Sequence, residues 1–239
     1  MKHVLIVHAH PEPQSFCASM KSTAAREFES MGCEVRVVDL YAMGFQPVAS
    51  AADFPVRAQR EYLTYALEQR HAYSSAALAP DIAEQVEHLQ WADLVVLNFP
   101  IFWFSVPAIL KGWIDRVLLS GPFYGGLRFY DRGGLKGKVA WTTFTLGGQP
   151  HMFGPGSVHG ELHAMLSHLL RGTLGYVGFT VLKPFVGFHI PYVSAEQRAE
   201  VMERFRHDIR HVASRPALTF PSLHDFDAGL HPLASPAAA

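Results

Sequence analysis

The run DLVVLNFPIFWFSVPAILKGWIDRVLL, from Asp93 to Leu119, restricts the possible folds more than any other part of the chain. It has the length and apolarity of a membrane span. A span, however, would bury Asn98, Lys111 and Asp115 in hydrocarbon and would break at Pro100 and Pro107, so that reading is rejected. Three shorter pieces account for it better. Leu94–Phe99 is a short apolar run bounded by Asp93 and Pro100, the pattern of a strand buried on both faces in a parallel sheet. Pro100–Ser105 is a loop carrying Phe102, Trp103 and Phe104. A helix is then expected to start near Ser105 as N-cap, with Pro107 in its first turn. Val106, Ile109, Leu110, Trp113, Ile114, Val117 and Leu118 would face inward, and Lys111, Asp115 and Arg116 outward. In an open α/β sheet, a loop at the carboxyl end of a strand is where ligands bind.

The same alternation recurs along the chain. Val4–His8 reads as a strand, the segment to about Met31 as a helix whose buried face is Phe16, Met20, Ala24, Phe28 and Met31, and Glu34–Val38 as a second strand. This βαβ unit implies a parallel sheet with right-handed crossovers. Residues 41–79 read as an irregular insertion with helix from Arg60 to Gln69. Asp81–Gln90 is an amphipathic helix leading into the Asp93 strand. Val139–Phe144 and Phe179–Val186 supply two more strands. Leu162, Met165, Leu166, Leu169 and Leu170 form a helix face. Ser194-x-x-Gln197 is a capping box that opens a last helix. One domain over 1–215 is expected, with residues 216–239 as a Pro- and Ala-rich extension that packs through Phe220, Phe226 and Leu230 and ends loosely.

Composition narrows the classes. A 239-residue chain with 49% hydrophobic and 17% charged residues is globular, and its formal net charge of −1 without a basic stripe argues against nucleic acid as a partner. The start, Met-Lys-His-Val-Leu-Ile-Val, has no signal-peptide layout. The two cysteines, Cys17 and Cys33, have neither metal nor redox spacing, so a cytoplasmic protein with reduced thiols is expected. Fourteen histidines raise the question of a metal, but none forms His-Glu-x-x-His, and no metal is expected.

Three loops carry the chemistry. His8-Ala-His10-Pro-Glu-Pro-Gln14-Ser15-Phe16 follows the first strand without the glycines of a dinucleotide fingerprint, so a nicotinamide-binding Rossmann site is not expected there. It is either a phosphate cradle, using helix N–H groups with Gln14, Ser15 and His10, or a Pro-stiffened turn in which Ser15 only caps a helix. The Phe102-Trp103-Phe104 loop is either a flat platform for a planar ring or a hydrophobic loop packed on a neighbour. Gly147-Gly148 offers two adjacent N–H donors and close backbone approach, or is an ordinary turn. His159 is either a donor at the site or a satisfied loop histidine. In strand order 2-1-3-4-5 the three loops meet on one edge. Together they describe a flavin site.

These residues give the chain its resemblance to the flavodoxin-like NAD(P)H:quinone oxidoreductases, the DT-diaphorase family. The resemblance runs over nearly the full length. It rests on His10…Ser15-Phe16, Asp39-Leu-Tyr-Ala-Met43, Leu78-Ala-Pro-Asp-Ile82, Ala92-Asp-Leu-Val95, Gly147-Gly148, His159-Gly160 and Gly178-Phe179. The most specific stretch is Phe99-Pro-x-x-Trp-Phe-x-Val-Pro-Ala-Ile-Leu-Lys-Gly-Trp113. It implies a doubly wound parallel five-stranded sheet of order 2-1-3-4-5 with helices on both faces. It also implies FAD rather than FMN, NAD(P)H and a quinone as substrates, ping-pong hydride transfer through flavin N5, and a homodimer whose sites lie at the subunit interface. By resemblance His10, Gln14, Ser15, Phe16 and Cys17 hold the pyrophosphate side, and Pro100, Ile101, Phe102, Trp103, Phe104, Thr145 and Leu146 line the isoalloxazine. Gly147 and Gly148 meet its pyrimidine edge, and Arg198 lies near the adenine. Trp103, Phe104, Tyr124, Gly126, Phe153, His159 and Tyr176 surround the substrate, with His159, Tyr124 and Gly148 catalytic. Tyr176 would come from across the interface.

The sequence departs from the family in three places. Cys17 replaces an asparagine, Gly126 an active-site tyrosine, and Phe153 the tyrosine paired with the histidine. Two other functions stay open: an FMN-type azo- or nitroreductase, and a regulatory subunit on a membrane ion-efflux protein.

Overall fold

The computed structural model describes residues 1–233. Five parallel strands lie in the order β2-β1-β3-β4-β5, as expected from the βαβ pattern. They are β1 (His3–His8), β2 (Glu34–Asp39), β3 (Leu94–Pro100), β4 (Val139–Thr145) and β5 (Thr180–Gly187). The helices are α1 (Phe16–Ser30), α2 (Tyr65–Ser74), α3 (Pro80–Trp91), α4 (Ala108–Val117), the short α5 (Leu162–Met165) and α6 (Ser167–Leu169), and α7 (Ala195–Arg210). A π-helical turn, Leu170–Gly175, follows α6.

Strand alternation decides which helices go where. Val4, Ile6, Val96 and Trp141 point to one face, where Met20 and Phe28 of α1 and Met202, Phe205 and Ile209 of α7 cover them. Leu5, Val7, Val95, Leu97 and Phe144 point to the other, against Ile82 and Val86 of α3, Leu110 and Trp113 of α4, and Leu166 and Leu170. Both faces of β3 are therefore fully buried, which is why its sequence is apolar apart from Asn98. β5 is the edge strand, and Pro184 is tolerated there. The extension shields that edge: the Leu218 N–H donates to the Val181 carbonyl and the Lys183 N–H to the Pro216 carbonyl. Asp131 anchors it further on, accepting from the Ser222 hydroxyl and the Leu223 N–H. The chain end expected to be loose lies outside the described residues.

Several expectations need correction. α4 starts at Ala108, with Pro107 as a cap that makes no side-chain hydrogen bond. Val106 precedes a proline and is held out of the helical region, so the helix cannot begin at Ser105. Met31 is exposed at the end of α1 rather than buried. The helix expected over Arg60–Gln69 is α2, five residues further on. The N–H groups of Ala58 and Gln59 are taken instead by the Glu68 carboxylate, at 2.8 Å each. Arg116 does not face solvent. It is 3% exposed, because the segment before α2 covers that side of α4. There Arg116 Nη2 lies 2.9 Å from Asp53 Oδ1, and Nη1 donates to Asp81 Oδ2 at 2.8 Å and to the Gln46 carbonyl at 2.7 Å. Leu166, Leu169 and Leu170 of the expected helix face are buried within the chain's core, while Leu162 packs against it only partly buried.

Candidate active site

The site begins with a buried polar row where three strands end. His8, Asn98 and Thr143 are in register across β1, β3 and β4. His8 Nδ1 donates to Asn98 Oδ1 at 2.6 Å, and Asn98 Nδ2 donates to Thr143 Oγ1 at 3.0 Å. The Cys17 thiol also donates to Asn98 Oδ1, at 3.3 Å. Burial pushes this thiol up to about 12, so it stays protonated and unreactive. Burial also lowers the pKa of His8. The row is a neutral, rigid floor for the loops above it.

Those loops enclose two adjoining cavities. The first, about 370 Å³, is lined by His10, Gln14, Ser15, Phe16, Cys17, Pro100, Ile101, Phe102, Thr145, Leu146, Gly147 and Arg198, all of them predicted cofactor residues. The second, about 250 Å³, is lined by Trp103, Phe104, Gly148, Phe153, His159 and Leu162, and shares Ile101, Leu146 and Gly147 with the first. The common wall makes them two parts of one cleft.

Unpaired backbone donors stand at two places in the cleft. Ser15 caps α1 by accepting from the Ala18 N–H at 3.0 Å, which leaves the Phe16 and Cys17 N–H groups with no acceptor among the described residues. Together with the helix dipole these two amides suit an anion. His10 Nδ1 accepts from the Glu12 N–H, so the neutral ring carries its proton on Nε2, and burial lowers its pKa to favour that form. At the shared wall and in the second cavity, the N–H groups of Gly147 and Gly148 also donate to nothing among the described residues.

A strained turn also lines the cleft. The Phe102 and Ser105 backbones exchange hydrogen bonds, and both central residues have positive φ, 50° at Trp103 and 56° at Phe104. A two-residue turn with both centres left-handed normally takes Asn-Gly. Two aromatic residues there cost of order 1–2 kcal/mol each. Trp103 recovers little by packing, because it is 97% exposed. The turn is fixed from outside by Ser105 Oγ, which bonds His168 Nε2 at 3.0 Å.

In the second cavity His159 sits between two rings, 5.3 Å from Phe104 and 5.1 Å from Phe153. Phe153 also packs on Gly148, where an added Cβ would meet its ring at 2.8 Å. Close packing is thus a reason for glycine at 148 that the sequence does not show.

Three predicted pocket residues are not brought to this cleft within the chain. Tyr124 and Tyr176 pack on each other, centroids 5.8 Å apart. They line a separate cavity of about 200 Å³ with Ile114, Asp115, Leu118, Gly172, Thr173 and Val177. Gly126 lines none of these cavities. Conversely, Ile190 and Pro191 line the first cavity and were not among the expected residues. The rule that loops at strand ends bind ligands reaches them, since β5 is the neighbour of β4.

The family model for the flavodoxin-like fold matches residues 2–212. A ribosyldihydronicotinamide dehydrogenase (quinone) of Rattus norvegicus is 46% identical over 202 residues, 84% of this chain and 87% of that protein. The NAD(P)H dehydrogenase (quinone) 1 of the same organism is 36% identical over 95% of this chain and 83% of its own. A crystal structure from Klebsiella pneumoniae, assigned as a quinone reductase, superposes with TM-score 0.93 at 32% identity, over 97% of this chain and 94% of that one. The chain belongs to the flavodoxin-like family and, within it, to the NAD(P)H:quinone oxidoreductase group; it is an oxidoreductase.

Proposed function

We propose that the chain binds FAD in this cleft and reduces quinones with a dihydronicotinamide donor, as a homodimer. The observation that carries the reading is the pairing of unsatisfied amides in one cleft, Phe16 and Cys17 in the first cavity and Gly147 and Gly148 at the shared wall and in the second. A flavin nucleotide has an anionic phosphate end and a hydrogen-bonding ring edge, which suits donors so placed. Arg198 also lines the first cavity, and a cation there, beyond what one phosphate needs, supports the longer FAD over FMN. A flavin held there would supply the two-electron hydride chemistry, with N5 as the exchanging atom, between NAD(P)H and the quinone.

The chain's own residues bind, orient and exclude water. Residues 1–215 form the catalytic unit, and 216–239 the extension. The Phe16 and Cys17 amides, with Ser15, Gln14 and His10, hold the pyrophosphate; Arg198 meets the adenine end. Pro100, Ile101, Phe102, Thr145 and Leu146 line the ring, with Trp103 and Phe104 over the place of exchange. Gly147, Gly148 and His159 present donors at the edge where negative charge develops, since Phe153 has no hydroxyl to offer. Tyr124, Gly126 and Tyr176, apart from the cleft in one chain, would close the substrate pocket of the partner subunit.

The second cavity is the place for donor and acceptor alike, so the two must bind in turn. Initial rates at varied NAD(P)H and quinone are expected to give parallel double-reciprocal lines, with quinone inhibiting at low NAD(P)H. Intersecting lines with a detectable ternary complex would overturn the shared pocket.

A further inference from the structure

The Gly147-Gly148 peptide does not set its own direction. Three successive carbonyls of the loop are tied to the segment after β5. The Ile190 N–H donates to the Leu146 carbonyl at 3.2 Å, and the His189 N–H to the Gly148 carbonyl at 3.0 Å. Between them the His189 side chain takes the Gly147 carbonyl, Nδ1 to O, at 2.7 Å. A carbonyl only accepts, so Nδ1 carries the proton, and it does so in the neutral and the cationic ring alike. In a planar trans peptide the C=O and the following N–H point in opposite directions. Pulling the Gly147 carbonyl toward His189 therefore turns the Gly148 N–H away from His189, and Gly148 lines the second cavity.

His189 holds this position under strain. Its φ is +57°, in the left-handed region that a histidine seldom adopts. The ring also packs on Tyr192, with centroids 4.9 Å apart, and Tyr192 lies 3.5 Å from where a Cβ on Gly147 would stand. A backbone strained at a non-glycine residue, with its side chain spent on one carbonyl, is overdetermined for a purpose that a glycine at the same place would not serve.

We infer that His189 is a positioning residue: by fixing the Gly147 carbonyl it aims the Gly148 amide at the flavin, and so strengthens binding of the reduced ring over the oxidised one. This rests on the proposed flavin reading of the cleft. The argument is electrostatic. A donor held in place before the charge appears stabilises the anionic reduced ring most, because no reorganisation is needed.

Two substitutions separate the side chain from the backbone. His189→Gly keeps the left-handed conformation without strain but loses the donor; His189→Asn tolerates the same conformation and keeps an N–H donor near the same place. Flavin affinity is measured by fluorescence titration, and the two-electron midpoint potential by dye equilibration of the flavin-loaded enzyme. In His189→Gly, affinity for oxidised flavin should change by less than about threefold, and that for reduced flavin should fall about tenfold further. That lowers the potential by about 30 mV, which is the tenfold ratio for two electrons. His189→Asn should return most of the shift. Equal potentials in wild type, Gly and Asn variants, all flavin-loaded, would overturn the inference while leaving the flavin reading intact. A wild-type protein that binds no flavin would overturn both.

Discussion

The cleft and the cover over α4 treat polar groups in opposite ways. Under the cover, Asp53 and Arg116 are almost wholly buried, and each finds its partners. Asp53 Oδ2 accepts from the Tyr65 hydroxyl at 2.6 Å and from the Ser50 N–H at 3.1 Å, while Oδ1 faces the guanidinium. At the cleft, four backbone amides have no partner among the described residues, and an aromatic pair sits at positive φ with its tryptophan in solvent. In the first arrangement the Asp53 and Arg116 charges are paired and hydrogen-bonded, so removing one partner is costly; Arg57 of the same covering segment is the exception, its buried Nε and Nη2 having no partner among the described residues. The second spends stability on groups that gain partners only when a ligand arrives.

The largest effect should come from breaking the compensated region. Arg116→Met leaves the Asp53 carboxylate buried without its charge partner and should cost about 3–5 kcal/mol, or about 10 °C in Tm, by thermal or urea unfolding. Flavin affinity of the folded variant should be unchanged. A loss below 1 kcal/mol would mean the pair is dispensable, and the contrast between the two regions would fail.

The same pair has a pH signature. Burial alone would raise the Asp53 pKa, but the Arg116 and Tyr65 side chains and the Ser50 amide outweigh it and hold the group below its ordinary value. A depressed carboxylate contributes stability above its unfolded pKa of about 3.9 and loses it as pH falls through the folded value. Wild-type stability should therefore drop below about pH 4. In Asp53→Asn this part of the acid limb should vanish, which unfolding free energies between pH 2 and 6 would show.

The cleft should respond in rate rather than in stability. His159→Ala should slow flavin reduction at saturating NAD(P)H about ten- to a hundredfold, or about 1.4–3 kcal/mol of barrier, by stopped-flow. Phe153→Tyr should speed it, provided the ring stays on Gly148. Unchanged rates in both would leave the glycine amides as the only working donors.

The smallest expected effect has the opposite sign. Trp103→Gly removes an exposed side chain from a left-handed position and should stabilise the ligand-free protein by about 1 kcal/mol. Flavin affinity should fall at the same time. If stability falls instead, the turn is not strained.

The fold was legible because its rules are local. Buried runs such as Leu94–Leu97, the βαβ spacing and the Ser194 capping box each fix an element without reference to the rest. The cleft was legible through one further rule, that strand-end loops converge, together with the family motif around Trp103. What escaped was set by partners distant in sequence. Arg116 has the periodicity of an outward residue and is buried only because Asp53, 63 residues away, comes to it. His189 looks like any loop histidine until β5 brings it beside Gly147.

The most direct measurement is of the flavin itself. Protein purified without added cofactor is denatured in acid, and the released flavin is separated and counted against chain concentration; protein stripped of flavin is then titrated with FAD and with FMN. One FAD per chain, bound more tightly than FMN, is the expected result. No flavin released, and no binding of either in the titration, would contradict the assignment of the cleft.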